Sequence, residues 1–355
     1  VRRVSKIAVA GIASAALALT ATACGSTSAD KAKEDAAPSG SSSAQSGVKV
    51  GIAYDVGGRG DHSFNDSAAR GVDKAKAEFG GDVKELTAKT TDTEADRVDR
   101  LTQLAEAGYN PVVGIGYAYA NSMKSVAAKF PAVTFGIVDS VVDAKNVDNI
   151  VFTEEQGSYL GGVAAALKTK KDHVGFIGGV DVPLIKKFEA GYVQGVHDTN
   201  PKIKVDVQYL SHGSDTSGFA SPDKGKAAAQ GMLDNGADVI YSAAGSSGSG
   251  AIEAVNGSKG AWAIGVDSDQ YNQVSLAKYK SSILTSVVKN VDVGVYDLVK
   301  SIHDKKPLVG TNAYSLAKNG VSLSTSGGFI ADIQPKIDAA KAKIVDGSIK
   351  VKTTP

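Results

Sequence analysis

Residues 49–80 read KVGIAYDVGGRGDHSFNDSAARGVDKAKAEFG. The stretch opens with a short apolar run, Lys49–Tyr54, that stops at Asp55. A glycine-rich turn follows. Then Ala68, Ala69, Val72, Ala75 and Phe79 recur at helical spacing, which predicts a helix over Asn65–Gly80. An apolar strand, a glycine turn and an amphipathic helix form the first half of a βαβ unit, and the pattern repeats downstream. Strand-like runs at 83–88, 111–115, 133–138 and 149–152 alternate with a helix that carries Val98, Leu101 and Leu104 on one face and with a helical pattern at 121–130. Thr91 and Glu94 have the spacing of a capping box, which places a helix start there. Such a series implies a parallel sheet covered by helices on both faces.

A second series of the same kind begins after Gln156. Helices are expected over 158–169, 184–197, 221–236 and 249–257, with Pro222 suited to a first helical turn. Strands are expected at 173–177, 205–210, 238–243, 262–266 and 283–287. Val295, Leu298 and Ile302 make 291–303 amphipathic. The chain then closes with a strand at 321–323 and a helix from Pro335. Two doubly wound α/β units imply two lobes, and ligands of such sheets lie beyond the carboxyl ends of the strands.

Composition narrows the function. The chain of 355 residues carries 39 basic and 38 acidic side chains, with 6% aromatics, so neither a nucleic-acid footprint nor a base-stacking platform is indicated. One cysteine builds no disulfide or thiolate metal cluster, and the five histidines include no zinc-hydrolase pair. No metal or other cofactor is expected. Gly57–Asp61 lacks the third glycine of a dinucleotide fingerprint and the Gly-Lys-Ser/Thr of a phosphate loop. Residues 245–250 (GSSGSG) put Ser249 where a nucleophile elbow requires glycine. No catalytic nucleophile is therefore expected, and the reading is of a protein that is not an enzyme. Both glycine turns suit close approach of a ligand or simple tight turns.

The N-terminal residues have the pattern of an address. Val1–Lys6 carries three positive charges, Ile7–Thr20 is apolar, and Ala21-Thr-Ala-Cys24-Gly25 has small residues around the sole cysteine. This predicts a lipoprotein signal peptide over 1–23, with Cys24 lipidated as the mature N-terminus. Residues 25–47 contain no side chain more hydrophobic than alanine, which predicts a disordered tether over 24–47 with an end-to-end distance of roughly 25 Å. The body is expected on the outer face of the cytoplasmic membrane, held there by its lipid anchor.

Three predicted strands end on an acid: Asp55, Asp139 and Asp267. Each suits a helix cap, but three on one sheet edge point to a polar ligand with hydroxyl or amine donors. Phe64 and Phe219 stand in polar loops, in DHSFND and DTSGFASPDK, without the periodicity of core positions. They either plug their loops or offer faces to a ring-shaped ligand.

Asp55–Asn65 resembles the opening motif of the basic membrane lipoprotein family, substrate-binding lipoproteins of ABC importers that include purine nucleoside receptors. Val174–Pro183, Lys187–Tyr192, Gly236–Ile240, Ile264–Gln270 and Thr285–Asn290 extend the resemblance over the chain from Val48 onward. It implies a type I periplasmic-binding-protein fold, two lobes joined by a three-segment hinge and closing on the ligand. It implies partners as well: an ABC permease and its ATPase, and a purine nucleoside such as adenosine, guanosine or inosine. The matching positions place the base between Phe64 and Phe219, and the ribose on Asp267 and Lys289. Asp55, Asn65 and Asp139 match polar positions near the ligand, and Gly245 matches a backbone contact. Lobe 1 is expected over 48–152 plus about 276–307, and lobe 2 over 153–275 plus about 308–355. The same fold also suits a free sugar or sugar-derived signal, or a surface sensor without a transport role.

Overall fold

The computed structural model describes residues 47–355; the expected signal peptide, Cys24 and all of the expected tether except Gly47 lie outside them. The chain begins with β1 (Val50–Tyr54), α1 (Phe64–Phe79), β2 (Val83–Thr87), α2 (Glu94–Glu106), β3 (Val112–Ile115), α3 (Ala120–Lys129), β4 (Phe135–Val138) and β5 (Val147–Phe152). It continues through α4 (Glu154–Lys168), β6 (His173–Asp181), α5 (Pro183–Thr199), β7 (Lys204–His212), α6 (Pro222–Asp234), β8 (Val239–Ala243), α7 (Ser247–Gly257), β9 (Trp262–Asp267) and β10 (Ile283–Lys289). Last come α8 (Val291–His303), β11 (Gly310–Tyr314), β12 (Val321–Leu323) and α9 (Gln334–Val345).

The strands form two six-stranded sheets, in the orders β11-β5-β4-β3-β1-β2 and β12-β10-β9-β8-β6-β7. Pairing is parallel throughout, except that β12 runs antiparallel to β10. The central strands β1, β3, β4 and β8 are buried along their whole length, as expected of parallel strands with helices on both faces.

The chain passes between lobes three times: from β5 to α4, from β10 to α8, which packs on α1, and from β11 to β12. This corrects the expected segment boundaries. Strand β10 belongs to the second lobe, although 276–307 was assigned to the first. Strand β11 belongs to the first, although it fell in a segment assigned to the second. The apolar β10 continues the second sheet in register beside β9. GTNAY in β11 is a half-exposed edge strand with no apolar alternation to mark it.

Local starts also differ. The capping box of α2 is Thr93 with Asp96: the Thr93 hydroxyl accepts from Asp96 N–H at 3.3 Å, and Asp96 accepts from Thr93 N–H at 2.7 Å. Helix α4 starts four residues before Ser158, where Glu154 and Glu155 complement the positive end of the helix dipole.

Helices α4 and α5 pack backbone to backbone. A β-carbon on Gly162 would collide with the Tyr192 carbonyl, one on Gly191 with that of Glu155, and one on Gly195 with that of Tyr159. This contact fixes the first crossover against the second lobe. Gly195→Ala should cost about 1–3 kcal/mol through overpacking. Urea unfolding should show a lower midpoint at unchanged slope; an unchanged midpoint would contradict this packing.

Candidate ligand-binding site

The carboxyl ends of both sheets face a cleft with about 530 Å³ of space, part of it continuous with solvent. Asp55, Phe64, Asn65, Asp139, Phe219, Gly245, Asp267 and Lys289 all line it. These are the positions singled out from the sequence, brought together from both lobes.

The first lobe supplies a loop held by its own polar side chains. Asp61 caps α1, its carboxylate accepting from the N–H groups of Ser63 (2.9 Å), Asn65 (2.8 Å) and Asp66 (3.1 Å). Asp55 is thereby free of the capping duty, and its Oδ1 accepts from Val56 N–H at 2.8 Å. Asn65 is committed to the loop. Its Oδ1 accepts from Asp55 N–H at 3.0 Å, and its Nδ2 donates to Asp61 Oδ2 at 2.9 Å and Val56 O at 3.3 Å. Its place at the cleft wall is thus that of a side chain that shapes the loop.

Asp139 and Asp267 end their strands with φ of 67° and 62°, and His62 in the α1 turn has φ 58°. Left-handed conformations cost energy for any side chain, least for Asp, Asn and His. Both carboxylates stand in the lining of the cleft.

Lys289 is only 2% exposed. Its ammonium lies 2.6 Å from Asp139 Oδ2 and 3.4 Å from Glu154 Oε1. It also sits 5.0 Å from the centre of the Phe64 ring, 5.3 Å from that of Phe152 and 5.5 Å from that of Phe188, within cation–π range. Its direct partners are therefore Asp139 and Glu154. Asp267 instead accepts from the Ser63 hydroxyl of the first lobe at 2.7 Å. Further hydrogen bonds join the lobes there, among them those from Ser268 Oγ to Ser63 O (2.7 Å), from Gln270 Nε2 to His62 O (3.1 Å) and from Arg70 Nη1 to Ser268 Oγ (3.1 Å).

Phe219 rests on glycine. A β-carbon on Gly179 would strike its ring, and one on Gly245, where φ is +55°, would lie 2.9 Å from its carbonyl oxygen. Gly245 thus serves both the turn and the placing of Phe219. The sequence reading missed Tyr117, Leu184, Ile185 and Phe188 in the lining, and Glu154 beside Lys289. Phe188 falls within Lys187–Tyr192, a motif already noted, but helical spacing alone does not tell a cleft wall from a core face.

Burial pushes the Asp139 carboxyl up to about 7 against the pull of Lys289, and it pushes Asp55 and Asp61 up to about 6. Asp267 is raised by burial too. Burial opposes charge on Lys289, yet Asp139, Glu154 and Asp267 hold it above the ordinary lysine range. The Lys289 ammonium faces three acids, one of which, Glu154, also meets Lys187 Nζ at 3.5 Å.

The fold and this cleft define a binding protein for a small molecule. Residues 48–354 match the family model described as ABC transporter substrate-binding protein PnrA-like, and the chain belongs to that family. It is 38% identical over 349 residues to the CD4+ T-cell-stimulating antigen of Listeria innocua, covering 94% of both chains. It is 36% identical over 323 residues to the ABC transporter nucleoside-binding protein BmpA of Lactococcus lactis, covering 86% of this chain and 89% of that one. An ABC transporter solute-binding protein from Aeropyrum pernix K1 superposes with a TM-score of 0.75 at 26% identity, over 86% of this chain and 93% of that one. The architecture is the type I periplasmic-binding-protein fold, and the family is one of substrate-binding proteins rather than an enzyme class.

The buried acids set a pH dependence. In the folded state Asp55, Asp61 and Asp139 hold protons up to about pH 6–7, whereas the unfolded chain releases them near pH 4. Their contribution is full below the unfolded value and is lost as pH rises through the folded one. The melting temperature of the ligand-free protein should fall from pH 5 to pH 8. A flat or rising profile over that window would contradict the placement of these carboxyls.

Proposed function

We propose that the protein captures a purine nucleoside for an ABC importer, its two lobes closing on base and ribose together. The observation that carries this reading is the length of the cleft. Asp139, Asp267 and Lys289 make one polar end, and Asp55 the other. Asp139 follows β4 and Asp55 follows β1, with β3 between them, so they stand two strand spacings apart, roughly 10 Å. A ligand engaging both ends spans more than one sugar ring. Phe64 from the first lobe and Phe219 from the second offer ring faces to it. The nucleoside-binding name of the Lactococcus relative supports the same choice.

In this reading the ribose hydroxyls donate to Asp267 and accept from Lys289. Hydrogen bonds to charged groups contribute about 1.5–3 kcal/mol each, and stacking of a base about 1–3 kcal/mol. After the costs of association, a dissociation constant around micromolar or somewhat tighter is expected. The hydrogen bonds from Ser63 and Ser268 across the cleft form in the closed arrangement and must break on opening.

Isothermal titration of the body from Val48 with adenosine, guanosine, inosine, adenine and ribose tests this. Nucleosides should bind, and the free base and free sugar should bind far more weakly. Asp267→Ala should weaken nucleoside binding by about 30–100-fold. Ribose heat without nucleoside heat would replace this reading with that of a sugar receptor.

The export and anchoring at the outer face of the membrane rest on the same reading. Cys24→Ser should leave the chain unprocessed or release it from the membrane fraction. A mutant that fractionates like the wild type would remove Cys24 as the anchor.

A further inference from the structure

Tyr117 and Tyr119 lie two residues apart in one 3₁₀ turn after β3. Their hydroxyls have different surroundings. That of Tyr119 donates to Tyr54 O at 3.0 Å and accepts from Arg100 Nη1 at 3.1 Å. That of Tyr117 is buried and has no hydrogen-bond partner among the described residues, while its side chain lines the cleft. A buried hydroxyl without a partner is costly, so such groups ordinarily find one.

Asp55 stands beside it. Gly116 joins β3 to the turn with φ +109°, and a β-carbon there would lie 2.8 Å from Asp55 Oδ2. The glycine therefore lets Asp55 and Tyr117 come together with no side chain between them. Asp55 Oδ1 is used by Val56 N–H. Burial, and after it the Asp55 charge, pushes the Tyr117 phenol up to about 12, so it remains a donor at neutral pH.

We propose that Tyr117 is a specificity-determining residue. Its hydroxyl donates to an acceptor on the edge of the ligand's ring while Asp55 accepts from the adjacent donor. The inference rests on the nucleoside reading and assigns the base edge to the end of the cleft away from Lys289. The ring class is one with an acceptor next to an N–H donor. Hypoxanthine and guanine offer O6 beside N1–H, whereas adenine offers N1 beside N6–H, the acceptor and donor in the opposite order, so one Tyr117–Asp55 pair fits one of the two kinds of base and not the other. Purine riboside lacks the donor in either order.

The test titrates wild type and Tyr117→Phe with inosine, adenosine and purine riboside, and melts both proteins without ligand. Wild type should bind inosine and adenosine with affinities about 10-fold or more apart, and purine riboside about 10-fold more weakly than the better of the two, because the Asp55 contact is lost. Tyr117→Phe should weaken the better-bound nucleoside by about 3–10-fold. Its ligand-free melting temperature should stay the same or rise, since the substitution removes an unpartnered hydroxyl. A structural role would instead lower that temperature along with affinity, and this outcome overturns the inference. Unchanged affinities in the variant, or equal wild-type affinities for inosine and adenosine, overturn it as well. A wild type that binds no nucleoside overturns the nucleoside reading, and this inference with it.

Discussion

A lysine ammonium buried against two carboxylates organises the centre of this molecule. Lys289 ends β10, immediately before the second passage between lobes, and Glu154 begins α4, immediately after the first. Asp139 reaches the same point from the end of β4. The cluster thus sits where the lobes join and on the floor of the cleft. Burying an ion is expensive, and removing one partner of a buried pair typically costs 3–5 kcal/mol. The arrangement tolerates that cost because the charges compensate one another and three aromatic rings lie around the ammonium. It remains incomplete, since Asp139 Oδ1 and both Glu154 oxygens lack hydrogen-bond donors among the described residues. Of these two acids, Asp139 lines the cleft.

Glycines set the geometry around that cluster. They allow α4 and α5 to touch along their backbones, Phe219 to lie on the second sheet, and Tyr117 to approach Asp55. Polar side chains then hold the loop between β1 and α1, with Asp61 and Asn65 spending their hydrogen bonds on its backbone. This part of the cleft wall is therefore held by the chain's own hydrogen bonds, which lowers the ordering cost of binding.

The fold class was legible because each βα unit is local: an apolar run, a turn, then helical spacing, as in 49–80. Pro222 at the start of α6 and the span of α8 were readable for the same reason. The second and third passages between lobes were not, because sheet membership is decided by which distant strand β10 and β11 pair with. Asp55, Asp139 and Asp267 were visible as acids at strand ends. Their partners were not: only the folded chain sets Lys289 on Asp139 and Glu154. Tyr117 carried no signal, since nothing local distinguishes its hydroxyl from that of Tyr119.

The central claim is that one ligand bridges the two polar ends of the cleft. A crystal structure of the protein with inosine bound tests it most directly. The account predicts ribose hydroxyls within about 3 Å of Lys289 Nζ and the Asp267 carboxylate. It places the base between Phe64 and Phe219, with its edge at Asp55 and Tyr117. A nucleoside lying outside the cleft, or one whose ribose sits between Asp55 and Tyr117 with the base toward Lys289, would contradict it.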